Sequence, residues 1–394
     1  MKGYLKKQNN KHGIKGKESY RIGVYLGKDD DGKKCYQWET IKGGKKKAQE
    51  RLQEILHQKN TGMLAIPKGT LGEFIERWLK EYAKTNLSPR TAEGYESIYH
   101  SRLKSELGLV MLKDLKPAHI QKYYADLQAS GKTSSTARHH AMMLHRVLEH
   151  AVKWQLLPRN PADAVTPPKN RHIEMKTLDE SQAELILNEA MNTPYYTLFA
   201  LALHTGARRS ELLSLRWQDI SFPGAELSIS RSMHRLLNGE FIYRNTKTVK
   251  SNRSVALSPM TCQMLRHHLD NEMAQCSQLK IPFTNERLVF CRWNGEPLIP
   301  HTVSQAWRRL ARRLGIKDIH FHSLRHTMAT LMLERGIHPK IVQERLGHSS
   351  IAITMDTYSH VMPGMQKKAA ETLDTILRIK DCKKIAVSEI SNIT

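Results

Sequence analysis

Residues 322–326, HSLRH, place two histidines and an arginine within about one helical turn. His322 and His326 are four residues apart, a spacing at which two side chains on one helix can share a zinc ion. His322 and Arg325 are three residues apart, a spacing at which one helix face can bind a phosphate. The rest of the chain is needed to choose between these two chemistries.

The remainder of the sequence favours the phosphate. A zinc site needs a third or fourth ligand, but the chain has no H-E-x-x-H motif and no cysteine near this segment. His326 is therefore expected to be a structural histidine that packs behind Arg325. Three further stretches carry side chains that suit a phosphate: TGARRSELLSLRW (205–217) with Arg208, NTKTVKSNRSVAL (245–257) with Lys247, and LGHSSIAITMDTYSH (346–360) with His348 and Tyr358.

The composition points to a nucleic-acid partner. The 394 residues include 62 Lys or Arg against 38 Asp or Glu, a formal charge of +24. Such a chain suits DNA or an anionic membrane surface, but the apolar run 195–203 is too short for the roughly 20 residues that span a bilayer. The start of the chain has no apolar signal segment, and the five cysteines form no C-x-x-C pair. We expect a cytoplasmic protein with reduced thiols and no membrane association.

The N-terminal segment is the most basic part of the chain. Residues 1–69 hold 17 Lys or Arg against 7 Asp or Glu. Within them, SYRIGVYLG (19–27) and KKCYQWETI (33–41) are predicted strands, and residues 45–60 are a predicted helix with one apolar side. A β-hairpin and helix with this charge could contact a DNA groove.

Two further regions follow, and breaker residues separate them. Residues 71 to about 164 show apolar residues at helical spacing after Ser or Pro start signals, which predicts a bundle of four or five helices. The proline-rich segment 160–170 ends this bundle. From about residue 172 the pattern mixes helices with strands, and the spacing of Thr177 and Glu180 predicts a capping box at the first helix.

The order of the phosphate-binding blocks resembles that of the tyrosine recombinases, also called phage integrases, from about residue 175 to 365. The helical bundle resembles the core-binding domain of that family, and the basic head resembles the arm-type DNA-binding domain of temperate-phage and conjugative-transposon integrases. The resemblance implies a multidomain fold. The first two parts are an α+β hairpin and helix module (1–65) and an all-α SAM-like bundle (70–165). A mainly-α catalytic domain of the DNA breaking-rejoining fold with a small antiparallel sheet (172–380) and a C-terminal tail (381–394) follow.

The resemblance also implies a role for each candidate residue. Tyr358 would attack a phosphodiester to form a 3′-phosphotyrosyl bond and release a 5′-hydroxyl, which keeps the bond energy for religation without a cofactor or metal. Two arginines can each present a planar fork to the transition-state oxygens. The other roles are as follows: Arg208 and Arg325 bind the phosphate oxygens, Lys247 protonates the leaving 5′-oxygen, His322 relays a proton or accepts one from Tyr358, His348 hydrogen-bonds the phosphate, and Glu211 orients Arg208.

Two assignments have close neighbours in sequence. Arg209 follows Arg208, but the family pattern T-G-x-R selects Arg208 and leaves Arg209 as a surface or DNA-backbone residue. Lys250 lies three residues after Lys247 near the same predicted turn, so both lysines remain candidates for the catalytic position.

The function implied is site-specific integration and excision of a mobile element. The expected partners are double-stranded DNA at core and arm sites, three further copies in a homotetramer, an excisionase and a host DNA-bending protein. The tail segment KIAVSEI is expected to pack against a neighbouring subunit. A type IB topoisomerase and a catalytically silent DNA-binding protein are the alternatives; the head and bundle oppose the first, and the complete set of competent residues opposes the second.

Overall fold

The computed structural model describes residues 4–8, 19–28, 34–60, 69–169, 175–245, 252–358 and 365–377. The chain divides into two compact units, residues 1–172 and residues 173–394. Among the described residues, no helix is both long and apolar enough to cross a membrane. Lys247, Lys250 and the tail 381–394 lie outside the described residues, and so does the segment KIAVSEI.

The head of the first unit is a three-stranded antiparallel sheet with one helix on its inner face. The predicted strands and helix are confirmed, but the sheet has a further edge strand that the sequence analysis missed. That strand is short and polar, and it pairs with residues 19–23 of the next strand. The elements are β1 (Tyr4–Gln8), β2 (Ser19–Lys28), β3 (Lys34–Lys42) and α1 (Lys45–Asn60), in the sheet order β1-β2-β3.

The two faces of this sheet differ in character. Alternation along β2 buries Tyr20, Ile22 and Val24 against α1. The opposite face is open and aromatic, and it includes Trp38, which is 48% exposed and lies against Gly23. The guanidinium of Arg21 lies 4.9 Å from the Trp38 ring centroid.

The helical bundle predicted for residues 71–164 is confirmed. The helix from Pro89 starts at an expected signal, since Ser88 accepts a hydrogen bond from Thr91 N. The helix from Leu71 starts at a signal that was not predicted, a capping box in which Thr70 accepts a hydrogen bond from Glu73 N. The largest buried side chains of its core are Trp78, Tyr99 and Tyr123. The elements are α2 (Leu71–Trp78), α3 (Lys84–Asn86), α4 (Pro89–Ile98), α5 (Lys104–Leu107), α6 (Pro117–Ala129) and α7 (Ser134–Lys153), with π-helical turns at Leu79–Ala83 and Tyr99–Leu103 that join α2 to α3 and α4 to α5.

The second unit is rich in helices and has two small antiparallel sheets. One sheet has the order β4-β5-β8, and the other pairs β6 with β7. The elements are α8 (Glu180–Ala190), α9 (Tyr196–Thr205), α10 (Arg209–Leu212), β4 (Ile220–Ser221), β5 (Glu226–Ile229), β6 (Arg231–Arg235), β7 (Phe241–Asn245), β8 (Arg253–Ala256), α11 (Pro259–Gln278), α12 (Pro300–Arg313), α13 (Ser323–Glu334), α14 (Pro339–Leu346), α15 (Ile351–Tyr358) and α16 (Met365–Leu377).

The capping box at the start of α8 was predicted at the wrong residues. Asp179 caps this helix, since its carboxylate accepts a hydrogen bond from Gln182 N and its own N–H donates to the Gln182 side chain. Thr177 and Glu180 have the same spacing but different surroundings. The N–H of the buried Leu178 donates to Thr327 Oγ1 on α13 at 2.9 Å, which keeps the chain extended until Asp179.

The core of the second unit surrounds α9 and α13. Phe199 on α9 makes edge-to-face contacts with Trp307 and Phe321. Every residue from Ser323 to Thr330 on α13 is buried. Because α13 runs through the core, Arg325 and His326 of the HSLRH segment are held by close-packed surroundings.

Candidate active site

A glycine turn at the end of α9 leads the chain to Arg208. Gly206 ends the helix in the left-handed conformation, with φ of 64°. A Cβ added there would lie 2.1 Å from Cε of Met328, so the tight contact between this turn and α13 requires glycine. Arg208 then occupies the N-cap position of α10.

Glu211 lies beneath Arg208 and connects it to a second arginine. Its carboxylate is buried and accepts hydrogen bonds from the backbone N and from Nη1 of Arg208, at 2.8 Å and 2.7 Å. It also accepts from Nη2 and Nη1 of Arg253, at 2.8 Å and 3.3 Å. Arg253 lies at the start of β8 and donates through Nε to the backbone oxygen of Arg345 at 2.7 Å. The carboxylate therefore orients the Arg208 side chain, which is itself 39% exposed.

The electrostatics of this cluster keep Glu211 ionised. Burial alone would raise the pKa of Glu211, but the hydrogen bonds and charge of Arg253, together with Arg208, outweigh burial and lower the pKa to about 2. A permanently charged carboxylate between two guanidiniums gives the site a fixed frame.

Arg325 lies in the core with its guanidinium bound to two backbone oxygens. The side chain is 3% exposed, Nη1 donates to the oxygen of Gly206 and Nη2 donates to the oxygen of Leu346, both at 2.7 Å. Burial and the charge of Arg208 lower the pKa of Arg325 to about 9, so it remains charged at neutral pH. Two chain reversals thus hold this arginine, because Gly347 follows Leu346 in the left-handed conformation as Gly206 does at the end of α9.

The two histidines assigned to the phosphate lie on either side of Arg325 in sequence. His322 is exposed at the N-cap of α13, and its pKa is lowered by desolvation and by the charges of Arg325 and Arg208. His348 is half-buried, and its Nδ1 lies 2.8 Å from Oγ1 of the buried Thr354. Burial, then Arg325 and Arg208, lower the pKa of His348 to about 4, so the ring is neutral at pH 7.

Tyr358 is the last residue of α15 and is almost fully buried. It is 2% exposed and contacts apolar residues of α13 and α14, among them Met328 and Leu346. Its hydroxyl lies 2.7 Å from Nδ1 of His326. Burial raises the pKa of Tyr358 to about 12, although the charge of Arg325 acts in the opposite direction.

A basic cavity of about 420 Å³ adjoins this cluster. Arg208, Arg209, Arg308, His234 and His322 are among its lining residues. Arg209 donates through Nη1 to the hydroxyl of Ser304 on α12. The cavity therefore extends the positive surface away from Arg208, as an anionic polymer would require.

Comparison with known proteins identifies the family. Residues 176–364 match the phage integrase family, and residues 70–128 match the N-terminal SAM-like domain of phage integrases. A protein of Caldanaerobacter subterraneus subsp. tengcongensis named tyrosine recombinase XerC-like is 30% identical over 382 residues, which are 92% of this chain and 97% of the relative. The chain belongs to the phage integrase family of tyrosine recombinases. It is a site-specific recombinase, an enzyme that cleaves and rejoins DNA.

Other similarities to this recombinase are more distant. The ICEBs1 integrase of Bacillus subtilis is 25% identical over 66% of the chain and 70% of the relative. The Tn1549 transposon integrase in complex with circular intermediate DNA has the same fold, with a TM-score of 0.67 and 19% identity over 78% of this chain and 100% of that structure. A lambda integrase dimer bound to a COC′ core site gives a TM-score of 0.55 and 22% identity over 72% and 97%.

The structure of the recombinase brings most of the predicted site residues together. The charge of Arg208 acts on His322, Arg325 and His348, and Glu211 binds Arg208 directly. The charge of Arg325 also acts to lower the pKa of Tyr358, but the Tyr358 side chain is buried in the apolar cluster. Lys247 lies outside the described residues.

Two residues of the site were missed or misjudged in the sequence analysis. Arg253 lies in the segment TKTVKSNR and was missed, because its contact with Glu211 joins residues 42 positions apart. His326 was predicted to be a structural histidine behind Arg325; it is buried, and the sequence analysis did not predict that its Nδ1 lies 2.7 Å from the hydroxyl of Tyr358. The i, i+4 histidine pair does meet, with ring centroids 4.9 Å apart. Among the described residues, however, no group of three potential ligands could hold a metal ion.

Proposed function

We propose that this recombinase integrates and excises a mobile DNA element through a covalent bond between Tyr358 and a 3′-phosphate. The observation that carries the proposal is the pair Arg208 and Arg325, held by Glu211 and by the oxygens of Gly206 and Leu346. Both guanidiniums are oriented in advance of substrate, which is the arrangement that stabilises a phosphoryl-transfer transition state without reorganisation.

The proposed reaction needs a nucleophile, a charge stabiliser and an acid. The oxygen of Tyr358 attacks phosphorus and loses its proton, which His322 accepts or relays. The bond from phosphorus to the 5′-oxygen breaks, and that oxygen takes a proton from Lys247. Arg208, Arg325 and a hydrogen bond from His348 stabilise the charge on the non-bridging oxygens. Religation reverses these steps with the 5′-hydroxyl of another strand.

Double-stranded DNA is the proposed partner of both units. The net charge of +24 and the basic cavity beside Arg208 support contacts to the sugar-phosphate backbone. We assign residues 172–380 to catalysis. We assign residues 70–165, the SAM-like bundle, to binding of the core site. The tail 381–394 would pack against a neighbouring copy in a homotetramer on synapsed DNA.

The head, residues 1–65, is the proposed arm-site module. The aromatic face of its sheet is open, with Tyr4 58% exposed and Trp38 beside Arg21. A three-stranded sheet of this size can enter the major groove and read base edges. Binding at arm sites in addition to core sites would make the direction of recombination depend on an excisionase and a host DNA-bending protein.

A covalent-trapping assay tests the nucleophile. The full chain and Tyr358→Phe are incubated in EDTA, without ATP, with junction DNA of the host element that is nicked opposite the cleavage position. Tyr195→Phe, in the same unit but outside the site, is the matched control. We expect an SDS-resistant protein–DNA band with the wild type and the control and no band with Tyr358→Phe. A band that persists in Tyr358→Phe would place the nucleophile at another residue.

A further inference from the structure

The candidate nucleophile is held in a position that DNA cannot reach. Tyr358 is 2% exposed, whereas the side chain of Arg208 is 39% exposed. A phosphodiester could therefore bind at the exposed Arg208 while the phenol oxygen of Tyr358 remains buried and out of its reach. For attack to occur, the end of α15 must move so that the phenol leaves its apolar cluster.

One polar contact fastens the hydroxyl in this withdrawn position. The Tyr358 oxygen and Nδ1 of His326 are 2.7 Å apart, both side chains are buried, and their ring centroids are 5.8 Å apart. A buried hydroxyl without a partner is unfavourable, so this single bond makes burial of Tyr358 acceptable. The phenol ring belongs to an apolar cluster with buried residues of α13 and α14, and Leu203 of α9 packs against this cluster.

The other nitrogen of the same ring has no partner. Nε2 of His326 is buried without a hydrogen bond among the described residues, and so is Oγ1 of Thr330, one turn further along α13. Unsatisfied buried groups are uncommon and mark places where the packing is under tension or serves a function. Among the described residues, Nδ1 is therefore the one ring nitrogen of His326 that makes a hydrogen bond, and its partner is Tyr358.

Resting on the assignment of Tyr358 above, we propose that His326 is a positioning residue that holds the nucleophile in its withdrawn state. The hydrogen bond between the Tyr358 hydroxyl and His326 Nδ1 keeps the phenol in the apolar cluster until DNA binding moves α15. Breaking this bond is then the step that precedes cleavage. His326 takes no part in the proton transfers, which belong to residues around the phosphate.

Four variants separate this role from a general packing role. His326→Asn keeps a polar atom near the position of Nδ1, and His326→Gln places its amide near Nε2 and so loses the contact with Tyr358. His326→Ala removes the ring. Thr330→Val is the matched control, because it alters a buried hydroxyl on the same helix that makes no hydrogen bond among the described residues.

The first readout uses no DNA and so does not depend on the proposed reaction. Full-length protein is treated with N-acetylimidazole, and acetylation of the Tyr358 hydroxyl is followed by mass spectrometry. We expect His326→Ala and His326→Gln to be acetylated about two- to tenfold faster than the wild type, the range given by one net hydrogen bond. His326→Asn and Thr330→Val should react at the wild-type rate.

The second readout is the single-turnover rate of covalent trapping on nicked DNA. The same two variants should form the adduct faster than wild type, because less work is needed to release the phenol. Equal acetylation rates in all variants would overturn the proposal, as would faster acetylation together with loss of trapping. If His326→Ala no longer unfolds cooperatively, the acetylation rates of His326→Gln and His326→Asn are compared instead. A faster rate in His326→Gln supports the proposal, and equal rates overturn it. Failure of the proposed function would instead appear as an adduct in Tyr358→Phe.

Discussion

Arg253 and Glu211 form a two-pronged ion pair in the interior of the second unit, with N to O distances of 2.8 Å and 3.3 Å. The pair joins β8 to the start of α10, and the same carboxylate holds Arg208. The orientation of a surface arginine thus depends on a strand more than forty residues away. We expect changes in this pair to act on stability and on catalysis together.

Replacement of Glu211 by Gln should be strongly destabilising. The variant leaves the guanidinium of Arg253 buried without its counter-charge, and such a loss typically costs about 3–5 kcal/mol. Urea unfolding of the full chain measures the change. Glu180→Gln, which breaks an exposed pair with Arg335, is the matched control and should cost about 1 kcal/mol or less. Similar losses of unfolding free energy in the two variants would contradict the proposal that Glu211 holds Arg253 and Arg208 in place.

Replacement of Arg208 by Lys should reduce cleavage without unfolding the protein. Lysine keeps the charge but loses the planar fork, and removal of one preorganised donor lowers the rate by about 10²–10³-fold. The side chain is 39% exposed, so the unfolding midpoint should change little. Single-turnover trapping measures the rate. Arg209→Lys is the control, and a similar loss there would mean that the wrong arginine has been assigned.

Replacement of Gly206 by Ala should cost more than the same change at Gly131. Both glycines are in the left-handed region, with φ of 64° and 73°. A Cβ at Gly131 meets nothing within 4 Å, whereas one at Gly206 overlaps Met328. We expect about 1 kcal/mol at Gly131 from backbone strain. At Gly206 steric overlap adds about 1–3 kcal/mol. Thermal unfolding of the two variants tests this, and equal costs would contradict the close approach of the turn to α13.

Acid should destabilise the second unit between about pH 6.5 and pH 4.5. Burial, with nearby charges, lowers the pKa of both His326 and His348 to about 4. The unfolded histidines bind protons near pH 6.5 and the folded ones do not, so the unfolded chain holds more protons in this window and stability falls as the pH falls. Each histidine contributes a slope of about 1.4 kcal/mol per pH unit.

Unfolding midpoints measured from pH 7 to pH 4.5 check this dependence. His326→Asn lacks the titrating ring and should show a shallower slope than the wild type; equal slopes would contradict the expectation. Glu211 affects the stability at lower pH than the histidines do. Its folded pKa is lowered to about 2, so its contribution is complete above about pH 4.5 and is lost below that value.

Local patterns predicted the parts of the fold that depend on nearby residues. The strands of the head, the helices of the bundle and the buried α9 follow apolar spacing and start signals within a few residues of one another. The errors come from distant partners. Strand β1 exists because Tyr4 pairs with Gly23, and the cap of α8 is at Asp179 because the N–H of Leu178 bonds to Thr327.

The sequence by itself determined the kind of chemistry. Residue types and their order were enough to predict Arg208, Arg325, His322, His348 and Tyr358 as a phosphate-directed set. Their types carry the relevant chemistry wherever the chain places them: guanidinium forks, imidazoles and a phenol.

Only the tertiary structure decided how those groups are held. That Arg253 shares the carboxylate of Glu211, and that His326 faces Tyr358, depends on contacts between segments 42 and 32 residues apart. The withdrawn state of Tyr358 is likewise a matter of packing, since the apolar cluster around it is built from three helices. Such contacts cannot be predicted from the spacing of apolar residues, because that spacing reports local secondary structure and not which distant segments pack together.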